Sequence, residues 1–306
     1  MVFDPNSVWF ITGASSGLGK SITLAAYESG YKLVATARSI KALSYLSDVP
    51  RVLKLSLDVT SAEEIDSALS AAVSHFGQIN VIVNNAGYGL RGDTEAVSDE
   101  DARHELETNF WGPVRITRGA LRIFREVNPV GMGGTVVQIS SVGGWVGFPG
   151  NSFYHASKFA LEGFTESVAK EVDPAWNIKF LIAVPGGVRT NFAATSVKAI
   201  PRHPAYDTLS SGLSQILRYV ENPSSQETWS DPDVCARLLV DIVGGQYEQS
   251  MPTRLLMGAE TIPVIESDIE RTLREMREWR AQTEMCSPRG GAQLMSLGSK
   301  KEGVSD

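Results

Sequence analysis

Three side chains, Ser141, Tyr154 and Lys158, stand in the pattern S-x12-Y-x3-K. Tyr154 and Lys158 are four residues apart, so on a helix they share one face. A tyrosine hydroxyl ionises near pH ~10 and shuttles protons poorly at neutral pH unless its anion is stabilised. A neighbouring ammonium supplies that stabilisation, as does the positive end of a helix. Ser141 ends an apolar run and can hydrogen-bond a substrate oxygen. Such a trio suits interconversion of an alcohol and a carbonyl, in which hydride moves at carbon and a proton at oxygen. A Tyr–Lys pair at this spacing is also the ordinary pattern of a packed aromatic beside a lysine reaching for solvent. Its position after Ile139-Ser140-Ser141 favours the chemical reading.

Hydride chemistry needs a carrier. Thr12-Gly13-Ala14-Ser15-Ser16-Gly17-Leu18-Gly19 follows the apolar run Val8–Ile11 and opens a helical pattern. Glycines there permit a tight turn and close approach of backbone N–H groups to a pyrophosphate, at a helix end whose dipole favours anions. Gly13, Ser15, Ser16, Gly17, Leu18 and Gly19 are therefore candidate cofactor contacts. At the end of the second apolar run, Ala37 occupies the place where a carboxylate would bind ribose hydroxyls, and Arg38 follows. Arginine suits a 2′-phosphate and a carboxylate would repel one, so NADP(H) is the expected cofactor. Arg38 is equally compatible with an ordinary surface charge.

The elements that must position these groups alternate. Strand-like runs at Val8–Ile11, Lys32–Thr36, Val52–Leu57, Ile79–Val83, Val136–Ile139, Lys179–Val184 and Arg254–Met257 are separated by helical patterns such as Gly17–Gly30, Ala62–Phe76, Ser152–Val172 and Cys235–Val243. Strands apolar on both faces imply a parallel sheet covered on both sides, with right-handed crossovers. The expected fold is α/β: a single-domain Rossmann fold over 1–284, with a doubly wound, mostly parallel seven-stranded sheet and helices on both faces. Asn191–Asp231, rich in Ser, Pro and Thr, reads as an irregular substrate loop, and Ile265–Arg280 as a solvated surface helix. Residues 285–306 have little to bury and read as a disordered tail.

Composition narrows the function classes. A net charge of -7 gives no nucleic-acid footprint. No stretch approaches the ~18 consecutive apolar residues of a spanning helix. Cys235 and Cys286 form no metal or redox motif, and the start lacks a secretory pattern, so a soluble cytoplasmic protein with free thiols is expected. His75, His104, His155 and His203 have no metal-ligand spacing. Asp99, Glu100 and Asp101 after Ser98 read as a capped helix start.

The motifs TGASSGLG (12–19), NNAG (84–87), Asn109, Ser141, YHASK (154–158) and PGGVRT (185–190) together resemble the short-chain dehydrogenase/reductase family over about residues 7–260. The resemblance implies that Asn109, Ser141, Tyr154 and Lys158 form a catalytic tetrad, with Lys158 on the nicotinamide ribose and Asn109 holding a water in a proton relay. It implies that Asp58 and Val59 meet the adenine region and that Asn85, Ala86 and Gly87 support the cofactor. Pro185, Gly186, Val188 and Thr190 would lie along the nicotinamide end. It further implies a homodimer or homotetramer paired through 111–127 and 152–172. ATAR followed by Ser39 resembles the retinol and hydroxysteroid dehydrogenase branch.

Trp145, Phe148 and Phe153 lie between the candidate serine and tyrosine, and Phe192 opens the 191–231 segment. They could line an apolar pocket under a mobile lid for a lipophilic ketone or alcohol, such as a steroid, retinoid, polyketide or other secondary metabolite. Aromatic residues are also good core fillers. Two other readings stay open: a non-redox enzyme on the same scaffold, catalysing isomerisation or dehydration, and a non-catalytic NADP-binding regulator.

Overall fold

The computed structural model describes residues 6–190 and 196–287. Its strands are β1 (Val8–Ile11), β2 (Lys32–Ala37), β3 (Val52–Ser56), β4 (Val81–Asn84), β5 (Gly89–Arg91), β6 (Gly134–Ile139), β7 (Ile178–Pro185), β8 (Val197–Ala199) and β9 (Arg254–Met257). Its helices are α1 (Gly17–Glu28), α2 (Ala62–Phe76), α3 (Asp99–Leu106), α4 (Gly112–Glu126), α5 (Ser152–Glu171), α6 (Gly212–Glu221), α7 (Pro223–Glu227), α8 (Pro232–Val243), α9 (Thr261–Glu278) and α10 (Arg280–Met285).

Seven strands form one sheet in the order β3-β2-β1-β4-β6-β7-β9, and every neighbouring pair is parallel. Side chains alternate across it, as the two-residue period of a strand demands. Trp9, Ile11, Leu33, Val81 and Leu181 pack under Leu18 and Ile22 of α1 and Leu239 and Val240 of α8. Val8, Phe10, Val34, Ile82 and Phe180 face the other layer, against Ile65 of α2, Ile116 of α4 and Val168 of α5. This is the expected doubly wound fold. Chain order reverses between β1 and β4, and the crevice beyond their C-terminal ends is where ligands of such sheets bind.

The segment Asn191–Asp231, expected to be irregular, carries β8, α6 and α7 among its described residues. Its Ser and Pro content conceals an amphipathic run, Leu213, Ile216, Leu217 and Val220, begun by Ser211, whose side chain accepts from Ser214 N–H. The equally unforeseen β5 pairs in parallel with β8, Leu90 opposite Lys198. A three-residue strand lies below what periodicity can show. Phe192 lies outside the described residues, as do 288–306; α10 runs to Met285, one residue into the segment expected to be tail.

Candidate active site

The glycine loop is built against the end of β4. Gly13 has φ +64°, and a Cβ there would lie 2.9 Å from Ala86 Cα. A Cβ on Gly19 would come within 2.2 Å of Asn85 Nδ2, so neither position tolerates a side chain. Asn85 Nδ2 donates to the carbonyls of Thr12 (3.0 Å) and Gly13 (3.2 Å). Thr12 Oγ1 accepts from the amides of Asn85 (2.9 Å) and Ala86 (3.0 Å). The loop thus leads into α1, whose N-cap Ser16 makes no side-chain capping bond and whose first turn has no acidic residue. A helix end left uncapped and free of negative charge fits a pyrophosphate. Thr190, past β7, faces Gly17 from across the cleft, its Cβ 3.6 Å from where a Gly17 Cβ would stand.

At the neighbouring strand ends, Ala37 is buried and Arg38 exposed. Burial pushes the Asp58 carboxyl up, but hydrogen bonds from the Thr60 amide (2.9 Å) and hydroxyl (2.7 Å), aided by the charge of Arg38, bring it below the ordinary range. Val59 is buried, its carbonyl 2.8 Å from where a Gly112 Cβ would stand. These residues fit a nucleotide that offers a phosphate to Arg38 and an adenine to Asp58.

The tetrad candidates converge at the crevice. Ser141 caps a short turn, its Oγ accepting from Gly143 N–H (3.1 Å), and its side chain hydrogen-bonds that of Tyr154. Lys158 is buried, with Nζ donating to Ile139 O (2.8 Å) at a point 5.7 Å from the Tyr154 ring centre. Asn109 lies in a π-helical turn, Glu107–Trp111, and is fully buried. Its side-chain amide donates to Tyr88 O (2.8 Å) and Ser157 Oγ (3.2 Å), and its Oδ1 accepts from Tyr88 N–H (3.0 Å). Both amide hydrogens of Asn109 are thus committed within the protein. A Cβ on Gly87 would stand 3.0 Å from Asn109 Oδ1 and 3.7 Å from Lys158 Nζ, so only glycine keeps this floor open.

The electrostatics differ from the expectation that Lys158 lowers the tyrosine. Burial pushes Tyr154 up to about 12, partly offset by the Ser141 hydrogen bond and reinforced by Glu105. Burial also pulls Lys158 down to about 8, against the attraction of Glu105 and Glu162. At about 12, Tyr154 holds its proton at neutral pH, the state a donor to a carbonyl requires.

Two carboxylates at this site were not singled out in the sequence, although each lies one helical turn from a tetrad candidate. Glu105, four residues before Asn109, is fully buried; its Oε1 accepts from Leu90 N–H (2.8 Å) and its Oε2 has no partner. Burial raises it to about 7 from an ordinary 4.5, despite the Leu90 bond and Lys158. A carboxyl with a raised folded value binds its proton more tightly folded than unfolded, so its contribution is lost as pH rises from 4.5 to about 7. We predict that Glu105→Gln gains stability relative to wild type between pH 5 and pH 8, by up to about 3 kcal/mol. Urea unfolding of both proteins at the two pH values checks this; an equal difference at both would refute it.

Glu162, four residues after Lys158, accepts from Ser140 Oγ (2.5 Å) and from Arg254 Nε (2.8 Å) of β9. Arg254 also pairs with Glu166 and lies 4.9 Å over the Trp145 ring. Trp145 itself packs with Ile182, Val184 and Ile265, so it builds the wall behind Ser141. Phe148 lies tilted against His155, ring centres 5.6 Å apart, and His155 Nδ1 bonds Gly143 O (2.9 Å); His155 is thus buried and braces the serine turn. After β7, Gly186 N–H donates to Met257 O (3.0 Å), Gly187 N–H to Glu260 Oε1 (2.9 Å), and Val188 bridges Ser230. No metal-ligand cluster occurs among the described residues.

A parallel sheet with this strand order and a Ser–Tyr–Lys cluster at its crevice define a nucleotide-dependent oxidoreductase of the Rossmann type. A family model described as short chain dehydrogenase matches residues 7–200, and the chain belongs to that family, whose members use NAD or NADP. It is 40% identical over 276 residues to "Oxidoreductase calM" of Penicillium decumbens, across 89% of this chain and 90% of that protein. It is 36% identical over 182 residues to a "3-ketodihydrosphingosine reductase" of Bacteroides thetaiotaomicron, across 60% of this chain and 64% of that one. A crystal structure of a short-chain dehydrogenase from Streptomyces avermitilis superposes with a TM-score of 0.81 at 33% identity, over 92% of this chain and all of that one.

Proposed function

We propose that the chain is an NADP(H)-dependent oxidoreductase that interconverts a carbonyl and an alcohol on a lipophilic small molecule. The observation that carries this is the placement of Ser141, Tyr154 and Lys158 together at the mouth of the glycine-loop crevice. In the reductive direction NADPH supplies the hydride when bound. Ser141 and Tyr154 hold the substrate oxygen, which preorganises donors for the charge that develops there. Tyr154 then gives up its hydroxyl proton. Lys158, anchored on Ile139 O, keeps positive charge beside the resulting phenolate. Phe148 and Leu213 of α6, which packs at Gly150, supply apolar surface near the serine turn, and the name of the Bacteroides relative, a "3-ketodihydrosphingosine reductase", agrees with a carbonyl substrate.

The rival readings, a non-redox step or a regulator, are separated by net consumption of NADPH. The direct test is a binding titration with NADPH and NADH, followed by a carbonyl panel read as NADPH absorbance. NADPH oxidation on any panel member supports the proposal; absence of binding by either nucleotide overturns it. Arg38→Ser should weaken NADPH by about 10- to 100-fold, the worth of a charge-assisted hydrogen bond, and leave NADH unchanged. Equal loss for both would remove Arg38 from the phosphate site.

A cytoplasmic setting and a homodimer or homotetramer complete the proposal. No described helix is long and apolar enough to cross a membrane, and exposed Trp111 and Phe159 flank α4 and lie on α5, the helices expected to pair.

A further inference from the structure

Beyond β9 the chain continues as α9, of which only Thr261 and Ile265 are buried. From Glu266 to Ser287 every residue is exposed except the partly exposed Asp268. Helices draw most of their stability from tertiary packing of one face, and one so little covered is marginal in water. Yet α9 is not polar all round. Ile262, Ile265, Ile269, Leu273 and Met276 recur at spacings of three and four, which places them on one face. Four of the five are exposed: Ile262 by 47%, Ile269 by 40%, Leu273 by 43% and Met276 by 64%.

The charges around this stripe are sorted along the helix. Residues 261–270 carry Glu266, Asp268 and Glu270 and no base, whereas 271–280 carry Arg271, Arg274, Arg277 and Arg280 against Glu275 and Glu278. The helix dipole favours such a gradient only within the end turns, and these acids lie beyond the first. At 100° per residue, Glu266 and Arg277 border the stripe on one side, with Glu270 and then Arg274 farther round the helix on that side. We propose that α9 is a self-association surface, pairing antiparallel with α9 of a second copy so that Glu266 and Glu270 face the partner's Arg277 and the partner's Arg274.

The midpoints of the two pairings fall within half a residue of each other, beside Thr272, as a two-fold axis requires. A parallel pair would turn the border of Glu266 towards the partner's Asp268, acid against acid. On the other border, Asp268 and Glu275 would approach their counterparts, but Arg271 bonds both within the helix, at 2.5 and 3.0 Å, and offsets one of the two charges. An anionic membrane is disfavoured by the acidic half. Residues 288–306 offer only Leu294, Met295 and Leu297 as large apolar groups.

The test uses the full chain. Glu266→Arg with Glu270→Arg in one variant, and Arg274→Glu with Arg277→Glu in another, should each lower the mass seen by light scattering. Mixing the two variants should restore it, because every facing pair is then opposite in sign. Thr272→Cys, on a Cys286→Ser background, should form a covalent dimer under mild oxidation, while Ile262→Cys on the same background should not. These substitutions leave α4 and α5 untouched, so an assembly through those helices survives them. Unchanged mass in both charge variants, absence of rescue on mixing, or a Thr272→Cys protein that stays uncrosslinked overturns the proposal. So does a wild-type monomer that binds phosphatidylcholine vesicles through Leu273, which would make lipid the occupant.

Discussion

Tyr154→Phe is expected to lower turnover of a carbonyl substrate by about 10²–10⁴-fold, the range of a single general acid, and to leave NADPH affinity unchanged. The substitution removes one oxygen and keeps the ring, so the packing of α5 survives. What disappears is the proton that burial holds on the phenol, with its value pushed up to about 12. Ser141 remains as a donor to the substrate oxygen, which sets the residual rate. Single-turnover measurement at saturating NADPH isolates the step, and a fluorescence titration of NADPH reports binding separately. A variant that keeps most of its rate would show that the proton comes from elsewhere and would leave the fold assignment standing.

The largest effect on stability is expected at Glu162. Its two oxygens are shared between Ser140 and Arg254, and both Glu162 and Ser140 are almost wholly buried. Removing one partner of a buried ion pair costs about 3–5 kcal/mol, and Glu162→Ala belongs at the lower end because Arg254 keeps Glu166. Glu162→Ala should therefore lower Tm by about 10 °C, at about 2–4 °C per kcal/mol for a domain of this size. Activity should fall as well, since Ser140 anchors the turn that presents Ser141 and Arg254 holds Trp145 behind it. The companion Arg254→Met should be similarly costly alone, and the double variant should cost less than the sum, as contacting residues do. Strict additivity in thermal denaturation would show that the pair does not act as a unit.

Glu105 and Glu162 illustrate why these contacts escape a reading of the chain. A carboxylate one turn from a lysine or asparagine on an amphipathic helix is ordinarily a solvated residue, and periodicity alone cannot distinguish that from a buried one. Glu162 finds Arg254 at a separation of 92 residues, across strands whose adjacency is decided only when the sheet closes. The segment 191–231 failed for a different reason: its apolar positions are diluted by Ser and Pro, so α6 emerges from a cap at Ser211 and a short apolar run.

By itself the sequence determined the alternation of strands and helices, the glycines at 13 and 19, the spacing of Tyr154 and Lys158, and membership of the family they mark. Each is a local property, set by side-chain period, backbone freedom or the pitch of a helix. The tertiary structure decided which strands are neighbours, and with that where the crevice opens and which charges are buried. Burial is a sum over groups distant in the chain, and it is the main cause that pushes Tyr154 up to about 12 and draws Lys158 down to about 8. Low dielectric is a property of the packed site, so no spacing of residues could have announced it.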